Sequence, residues 1–371
     1  MNSTKDTLLK FKNCRLLRDD RIIDDDIWVR DGKIVNPEKV FYDEKCYADE
    51  EIDCKGALIS PGFIELQING AFGVDFSRNL DDVESGLLKV AKGLLAHGIT
   101  AFCPTVVTSP TEVYLRVLPH LKKRTGGSHG ATVLGVHIEG PFINVEKKGA
   151  HPPKYIKPLD KGFETVLDMY GSLDNVCILT LAPELENALP IIHELTSRGI
   201  TVSLGHSVAN LRQGEEAVAH GANFITHLFN AMLPVSCGAV ERLKTKHHKV
   251  RGDRAVVAGT DTLCGSITTM DKCLRVFKKA TGCSLVTALN TATLHPARTI
   301  GIQASKGTLD YGADADFVFL DDDLNVWSTW IAGNCVYYDS NFPQTTVKVI
   351  NEVHLKTENS YSCIHKDRPN H

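Results

Sequence analysis

The chain has 371 residues, 43% of them hydrophobic and 23% charged, with a formal net charge of −4. That length accommodates a large domain plus a small one, or an α/β barrel with additions. The acidic balance and the absence of a basic cluster interleaved with aromatics exclude an extended nucleic-acid surface, and no apolar run reaches the roughly 20 residues that a bilayer span needs.

The opening MNSTKDTLLKFKNC lacks the apolar segment of a signal peptide, and eleven cysteines are scattered without a C-x-x-C pair. Reduced thiols and a cytoplasmic location are the expectation. Residues 8–56 alternate apolar and polar positions in short bursts, with Asp31-Gly32 as a hairpin signal. The rhythm changes at ALISPGFIELQING (57–70). From there apolar strands alternate with amphipathic helices: a helix over about 80–96 leads into GITAFCPTVV, and another over about 111–124 leads into TVLGVHIEG. NVCILTLAPE, GITVSLGH and ANFITHLFN follow in the same manner, so six strands of a parallel sheet are expected from residue 60 onward.

Polar residues fall where these strands end, namely Gln67, Asn69, Glu139, Glu184, His206 and His227. The C-terminal ends of barrel strands are where active sites are built. A lone strand-end histidine is ordinarily structural. Glu139, His206 and His227 on three strands of one barrel instead suit a divalent metal, because catalytic zinc takes three His or carboxylate ligands and keeps a position for water. His137 lies on the same strand face as Glu139 and is expected to support the site rather than to ligate. His97, His220 and His295 sit near helix ends, and His247 and His248 lie in a basic loop.

After Asn230 the pattern weakens. Residues 232–254 read as a polar, basic loop or a poorly ordered helix, DRAVVAGTD (253–261) as a candidate seventh strand, and helices follow at about 268–281 and 284–295. Short alternating strands return over 307–338. Two β-rich ends, 1–59 and 307–350, therefore bracket a βα middle, 60–306, and should meet in one accessory sheet. The polar tail 351–371 should fray.

The motifs ISPGFIELQING, GVHIEGPFINVEKKGAH, LAPE, GHS, THLFNAM, TLCGSITTMD, ATLHPARTIG and KGTLDYGADADFVFLD together resemble the N-acetylglucosamine-6-phosphate deacetylases of the amidohydrolase superfamily. The resemblance runs from about residue 8 to about 340. It implies a (β/α)₈ barrel with a small β-sandwich built from both termini. Where many amidohydrolases carry His-x-His, this chain reads Gln67-Ile68-Asn69, so the resemblance implies one metal, with zinc expected and iron or cobalt also suited to the ligand set. It assigns substrate contacts to Ala150, His151, Asn230, Ala231, Leu263, Cys264 and Gly265, and a homodimeric assembly. The implied reaction is hydrolysis of the acetamide of N-acetyl-D-glucosamine 6-phosphate by a metal-activated water whose pKa falls toward ~7. A cyclic-amide hydrolase fits less well, given the missing His-x-His and the FNAM segment.

One part of the family pattern is missing. The general base of the family is an aspartate in a V-T-D-A motif on the eighth strand, and this sequence passes from MLP to VVAGTDTLCGS without it. The phosphate-binding arginine and carbonyl-orienting histidine of the same segment are missing too. Asp261 ends an apolar run and is a weak candidate base, although its surroundings match the post-barrel segment. The expectation is a barrel truncated after strand six, with an open edge. The alternative is a shortened, inactive derivative that keeps the metal site.

Overall fold

The structure, a computed structural model, describes residues 7–78, 80–228, 230–232, 254–256 and 263–349. The N-terminal bursts form β1 (Leu9–Lys12), β2 (Arg15–Arg18), β3 (Arg21–Asp24), β4 (Ile27–Arg30), β5 (Lys33–Val35), β6 (Glu50–Asp53) and β7 (Leu58–Pro61). Asp31 and Gly32 both take positive φ, 52° and 70°, between β4 and β5. That is the two-residue turn whose twist matches the strands it joins.

The βα rhythm follows with β8 (Phe63–Ile68), α1 (Val83–Leu94), β9 (Ile99–Val107), α2 (Thr111–Val117), β10 (Thr132–Val133) and β11 (Val136–Glu139). The strand expected over TVLGVHIEG is thus interrupted at Leu134-Gly135, where Gly135 adopts φ 128°. Next come α3 (Phe163–Tyr170), β12 (Val176–Leu181), α4 (Ala188–Ser197), β13 (Thr201–Leu204), α5 (Leu211–Ala219) and β14 (Phe224–Ile225). β8, β9, β11, β12, β13 and β14 pair in that order, all parallel. Burial of both sheet faces explains their near-continuous apolar runs. α1 shows the local logic. Asp82 caps it by accepting from Ser85 N at 3.0 Å, and Val83, Leu87, Val90, Ala91 and Leu94 bury one face.

The expected seventh strand is the point of difference. β15 (Arg254–Val256) pairs antiparallel with β16 (Leu263–Ser266) in a separate two-stranded sheet and does not extend the parallel one. Asp261 lies outside the described residues, as do residues 233–253 and the tail 351–371. Among the described residues β14 and β8 are the two edges of the parallel sheet, and they do not pair with each other.

The chain continues through α6 (Met270–Thr281), α7 (Leu285–Asn290) and α8 (Leu294–Thr299). α8 and its approach touch both sheet edges: Ile64 N on β8 donates to Ala292 O at 2.8 Å, and Asn223 Nδ2, just before β14, donates to Thr299 O at 2.7 Å. β17 (Phe317–Leu320), β18 (Val326–Ile331), β19 (Asn334–Tyr338) and β20 (Thr346–Val349) complete two terminal sheets, ordered β20-β6-β1-β4-β5 and β19-β18-β17-β7-β2-β3. Alternation along β17 divides the work. Phe317 and Phe319 join Phe11, Ile27, Ile52 and Trp330 in a core shared by both terminal sheets, while Val318 and Leu320 face the core of the parallel sheet. No helix of the described residues is long and apolar enough to cross a membrane.

Candidate metal centre

Glu139 ends β11, His206 lies two residues beyond β13, and His227 two residues beyond β14. Parallel pairing puts these strand ends side by side. Glu139 Oε1 stands 3.1 Å from His206 Nε2 and 2.9 Å from His227 Nε2, and the two Nε2 atoms are 3.0 Å apart. Glu139 and His206 side chains are 3% and 4% exposed, and His227 is 27% exposed at the sheet edge.

The tautomers follow from the second nitrogens. His206 Nδ1 donates to Lys147 O at 2.7 Å and His227 Nδ1 to Asn230 O at 3.2 Å. A carbonyl only accepts, so both Nε2 lone pairs point toward the shared centre, the orientation metal-bound histidines need. Ligand atoms held about 2.0–2.1 Å from zinc at tetrahedral angles lie roughly 3.3 Å apart. The observed spacing is slightly tighter, and the donor set fits one divalent cation.

Two of the three residues hold unusual backbone. His206 has φ 50° and His227 φ 33°, with Ala231 at 51° just beyond. Left-handed non-glycine residues cost free energy and are kept where the surroundings fix them. For His206 the fixing groups are visible. Asn144 N donates to its carbonyl at 2.9 Å. Glu184 then accepts from Ser207 Oγ at 2.6 Å, Val208 N at 2.7 Å and Asn144 Nδ2 at 3.1 Å. Glu184, a strand-end carboxylate in the sequence, therefore shapes the His206 loop.

His151 adjoins the group. Its Nδ1 lies 2.6 Å from Thr108 Oγ1 and its Nε2 3.9 Å from Glu139 Oε2. Glu139, His151 and His206 each bring one ligand atom to within 4.8 Å of the others. Burial pushes the His151 imidazole down to about 4, against the pull of Glu139. Burial would raise Glu139, yet the hydrogen bonds from His206 and His227 hold its carboxyl well below the usual range. For His227 the balance falls the other way, since contact with Glu139 outweighs burial and raises the ring.

The remaining candidates divide. Ala150 and His151 belong to the loop whose Gly149, at φ 54°, lies against His206: an added Cβ would be in ordinary contact, 3.4 Å from its Cε1, so it is the positive φ rather than space that favours glycine there. Asn230 and Ala231 follow His227 directly, and Ala231 O accepts from Ser207 N at 3.2 Å. Leu263, Cys264 and Gly265 lie on β16, outside the parallel sheet. Gln67 and Asn69 stand at the end of β8 and offer no imidazole. Sequence reasoning overlooked Thr108, Thr180, Ser203 and Thr226. Each is a buried hydroxyl on or just beyond a strand, and the signal available was an isolated Thr or Ser within an apolar run.

Comparison with known proteins identifies relatives along nearly the whole chain. Residues 227–336 match the amidohydrolase family. The N-acetylglucosamine-6-phosphate deacetylase of Rattus norvegicus is 48% identical over 391 positions, which cover 89% of this chain and 96% of the rat protein. As 89% of 371 residues is about 330, about 60 of those positions hold a residue in the rat enzyme and none here. The N-acetylglucosamine-6-phosphate deacetylase of Pasteurella multocida superposes with a TM-score of 0.75 at 25% identity, covering 90% of this chain and 100% of that one. An aspartate-to-alanine variant of the Mycobacterium smegmatis enzyme, in complex with N-acetyl-D-glucosamine-6-phosphate, gives 0.70 at 26% identity, covering 89% and 99%. With relatives this similar along nearly their whole length, the chain belongs to the N-acetylglucosamine-6-phosphate deacetylase family of the amidohydrolases.

Proposed function

We propose that this protein hydrolyses the acetamide of N-acetyl-D-glucosamine 6-phosphate, releasing acetate and D-glucosamine 6-phosphate, with one zinc ion held by Glu139, His206 and His227. The observation that carries the proposal is the meeting of one carboxylate oxygen and two Nε2 atoms within 3.1 Å, each Nδ1 being tied to a carbonyl. A bound cation supplies acidification of a water and polarisation of the acetyl carbonyl. The chain's own residues hold the substrate. Ala150 and His151 approach from the loop against His206, Asn230 and Ala231 from the turn after His227, and Leu263, Cys264 and Gly265 from β16. His137, buried beneath the ligands, keeps its imidazole neutral because burial lowers its pKa.

The proposed organisation is an accessory β-sandwich from residues 1–59 and 307–350 around a hydrolase barrel, 60–306, truncated after its sixth strand. The shared core of the two terminal sheets supports the first part, and the roughly 60 unmatched positions support the second. A cytoplasmic homodimer acting on a small amino-sugar phosphate, with neither nucleic acid nor membrane as partner, completes the proposal.

A second reading has one observation in its favour. The unmatched positions, together with the absent V-T-D-A aspartate, support a derivative that binds metal without turnover, whereas the 48% identity favours the working enzyme. Purified 371-residue chain loaded with zinc and incubated with N-acetyl-D-glucosamine 6-phosphate should release acetate. Stoichiometric zinc with no acetate would overturn the first reading in favour of the second.

A further inference from the structure

Below the proposed ligands lies a line of polar side chains whose partners among the described residues are one another and one carbonyl. His137, Thr180, Ser203 and Thr226 are all 0% exposed. His137 Nδ1 lies 2.8 Å from Leu66 O, and His137 Nε2 2.7 Å from Thr180 Oγ1. Thr180 Oγ1 lies 2.7 Å from Thr226 Oγ1, which lies 2.6 Å from Ser203 Oγ. The chain joins β8, β11, β12 and β13 to Thr226, the residue after β14. Leu66 O is available because the pairing of β8 with β9 shifts register between Glu65 and Ile68, opposite Pro104, which has no N–H to give.

The hydrogens on this line can run only one way. Leu66 O is an acceptor, so His137 Nδ1 carries a proton. A fully buried ring whose two partners are neutral is itself neutral, so Nε2 accepts from Thr180. Thr180 has then spent its proton and accepts from Thr226, which accepts from Ser203. Every group is satisfied in a single orientation, and removal of one link strands its neighbours.

We propose that this one-directional chain makes Thr226 the positioning residue for His227, a role that rests on His227 being a metal ligand. β14 has only two ladder pairs, Ser203↔Phe224 and Leu204↔Ile225, and no second neighbour among the described residues. Beyond it the backbone enters the left-handed turn of His227. The Thr226 hydroxyl, with two partners, and its N–H, 2.9 Å from Leu204 O, are what fix the entry to that turn.

The test is zinc affinity of the full chain by competition with a chromophoric chelator. Thr226→Val should bind on the order of 10–100-fold more weakly, the range typical of partners that orient metal ligands. Thr226→Ser keeps the hydroxyl and should bind as the parent does. Equal binding by Thr226→Val, or an equal loss in Thr226→Ser, overturns the proposal while leaving the metal site standing. A parent chain that binds no zinc instead overturns the metal reading, and this role with it. Because the valine variant could fail to fold, nitrogen-15 NMR of histidine-labelled parent gives an independent check. His137 should appear as the slowly exchanging Nδ1–H tautomer, and an Nε2–H form or an imidazolium would overturn the chain's direction.

Discussion

An interior strand and an edge strand of the parallel sheet differ in what surrounds them. β12 lies between β11 and β13, and its helix α4 buries Ala188, Ile191, Ile192 and Leu195. β14 has one ladder neighbour, and α5 buries only Ala217 while Leu211 and Val218 stay 79% and 60% exposed. Ile225 and Leu228 are also exposed, at 44% and 54%. The local start signal is the stronger one at the edge: α5 has a full capping box between Asn210 and Gln213, whereas Asn187, before α4, makes no side-chain cap bond. Local signals thus form a helix even at the edge, and they do not decide which helix buries its face. Burial of its apolar face needs a second neighbour, and among the described residues β12 has one and β14 does not.

The proposed metal group straddles this divide, with Glu139 from the interior strands and His227 from the edge. Glu139 contacts both imidazoles, so Glu139→Gln should have the largest effect, lowering zinc affinity by more than the roughly 100-fold that an outer partner can cost. His227→Ala, at the exposed edge, should cost less. Paired zinc titrations check the order, and equal losses would mean that the edge ligand is as firmly held as the buried one.

Stability should divide along the same line. Leu195→Ala on α4 should cost about 2–5 kcal/mol through lost burial and a cavity. Val218→Ala on α5 should fall within about 0.5 kcal/mol. Urea unfolding of both variants measures the difference, and a large cost at Val218 would show that its surface is covered in solution.

A smaller effect is expected where α6 meets the turn before β9. Asp271 Oδ1 lies 3.2 Å from His97 Nδ1, and Arg275 Nη2 donates to Asp271 Oδ2 at 2.8 Å. Burial would raise the Asp271 carboxyl, but hydrogen bonds from His97, Thr269 and Arg275 bring it below its usual value. A depressed carboxylate stabilises the fold above its unfolded pKa of about 3.9 and loses that contribution as pH falls further. Asp271→Asn should therefore destabilise by on the order of 1–3 kcal/mol near neutrality. Its deficit against the parent should shrink below about pH 4, as urea midpoints over an acid series would show.

Much of the molecule is legible in its sequence, and the reasons can be named. Strand ends such as those at Glu139 and His206 can be read because a buried apolar run tolerates an ionisable side chain only where the strand leaves the core, and Asp31-Gly32 announces its turn. Helix lengths are less legible: α2 stops at Val117, short of the expected 124, because the packing that ends a helix is not written in its periodicity. DRAVVAGTD reads as a parallel strand since an apolar run does not reveal its partner. The hydroxyl line under the ligands is invisible in the sequence for a related reason. Thr180, Ser203 and Thr226 are common residues that acquire meaning only when three strand regions bring them within 2.7 Å.

The terminal sheets carry a consequence for synthesis on the ribosome. β7 and β17 pair over Leu58–Pro61 and Phe317–Leu320, so the centre of one sheet waits for more than 250 residues to be made. Until then Ile59 and its neighbours are paired on one side alone, with β2 through Leu16↔Ile59, and contacts of such long sequence separation form slowly. A nascent chain arrested before residue 317 should remain protease-sensitive in its first 60 residues, and one arrested well beyond Val349 should not. Early protection in the shorter chain would mean that the N-terminal strands fold without their distant partners.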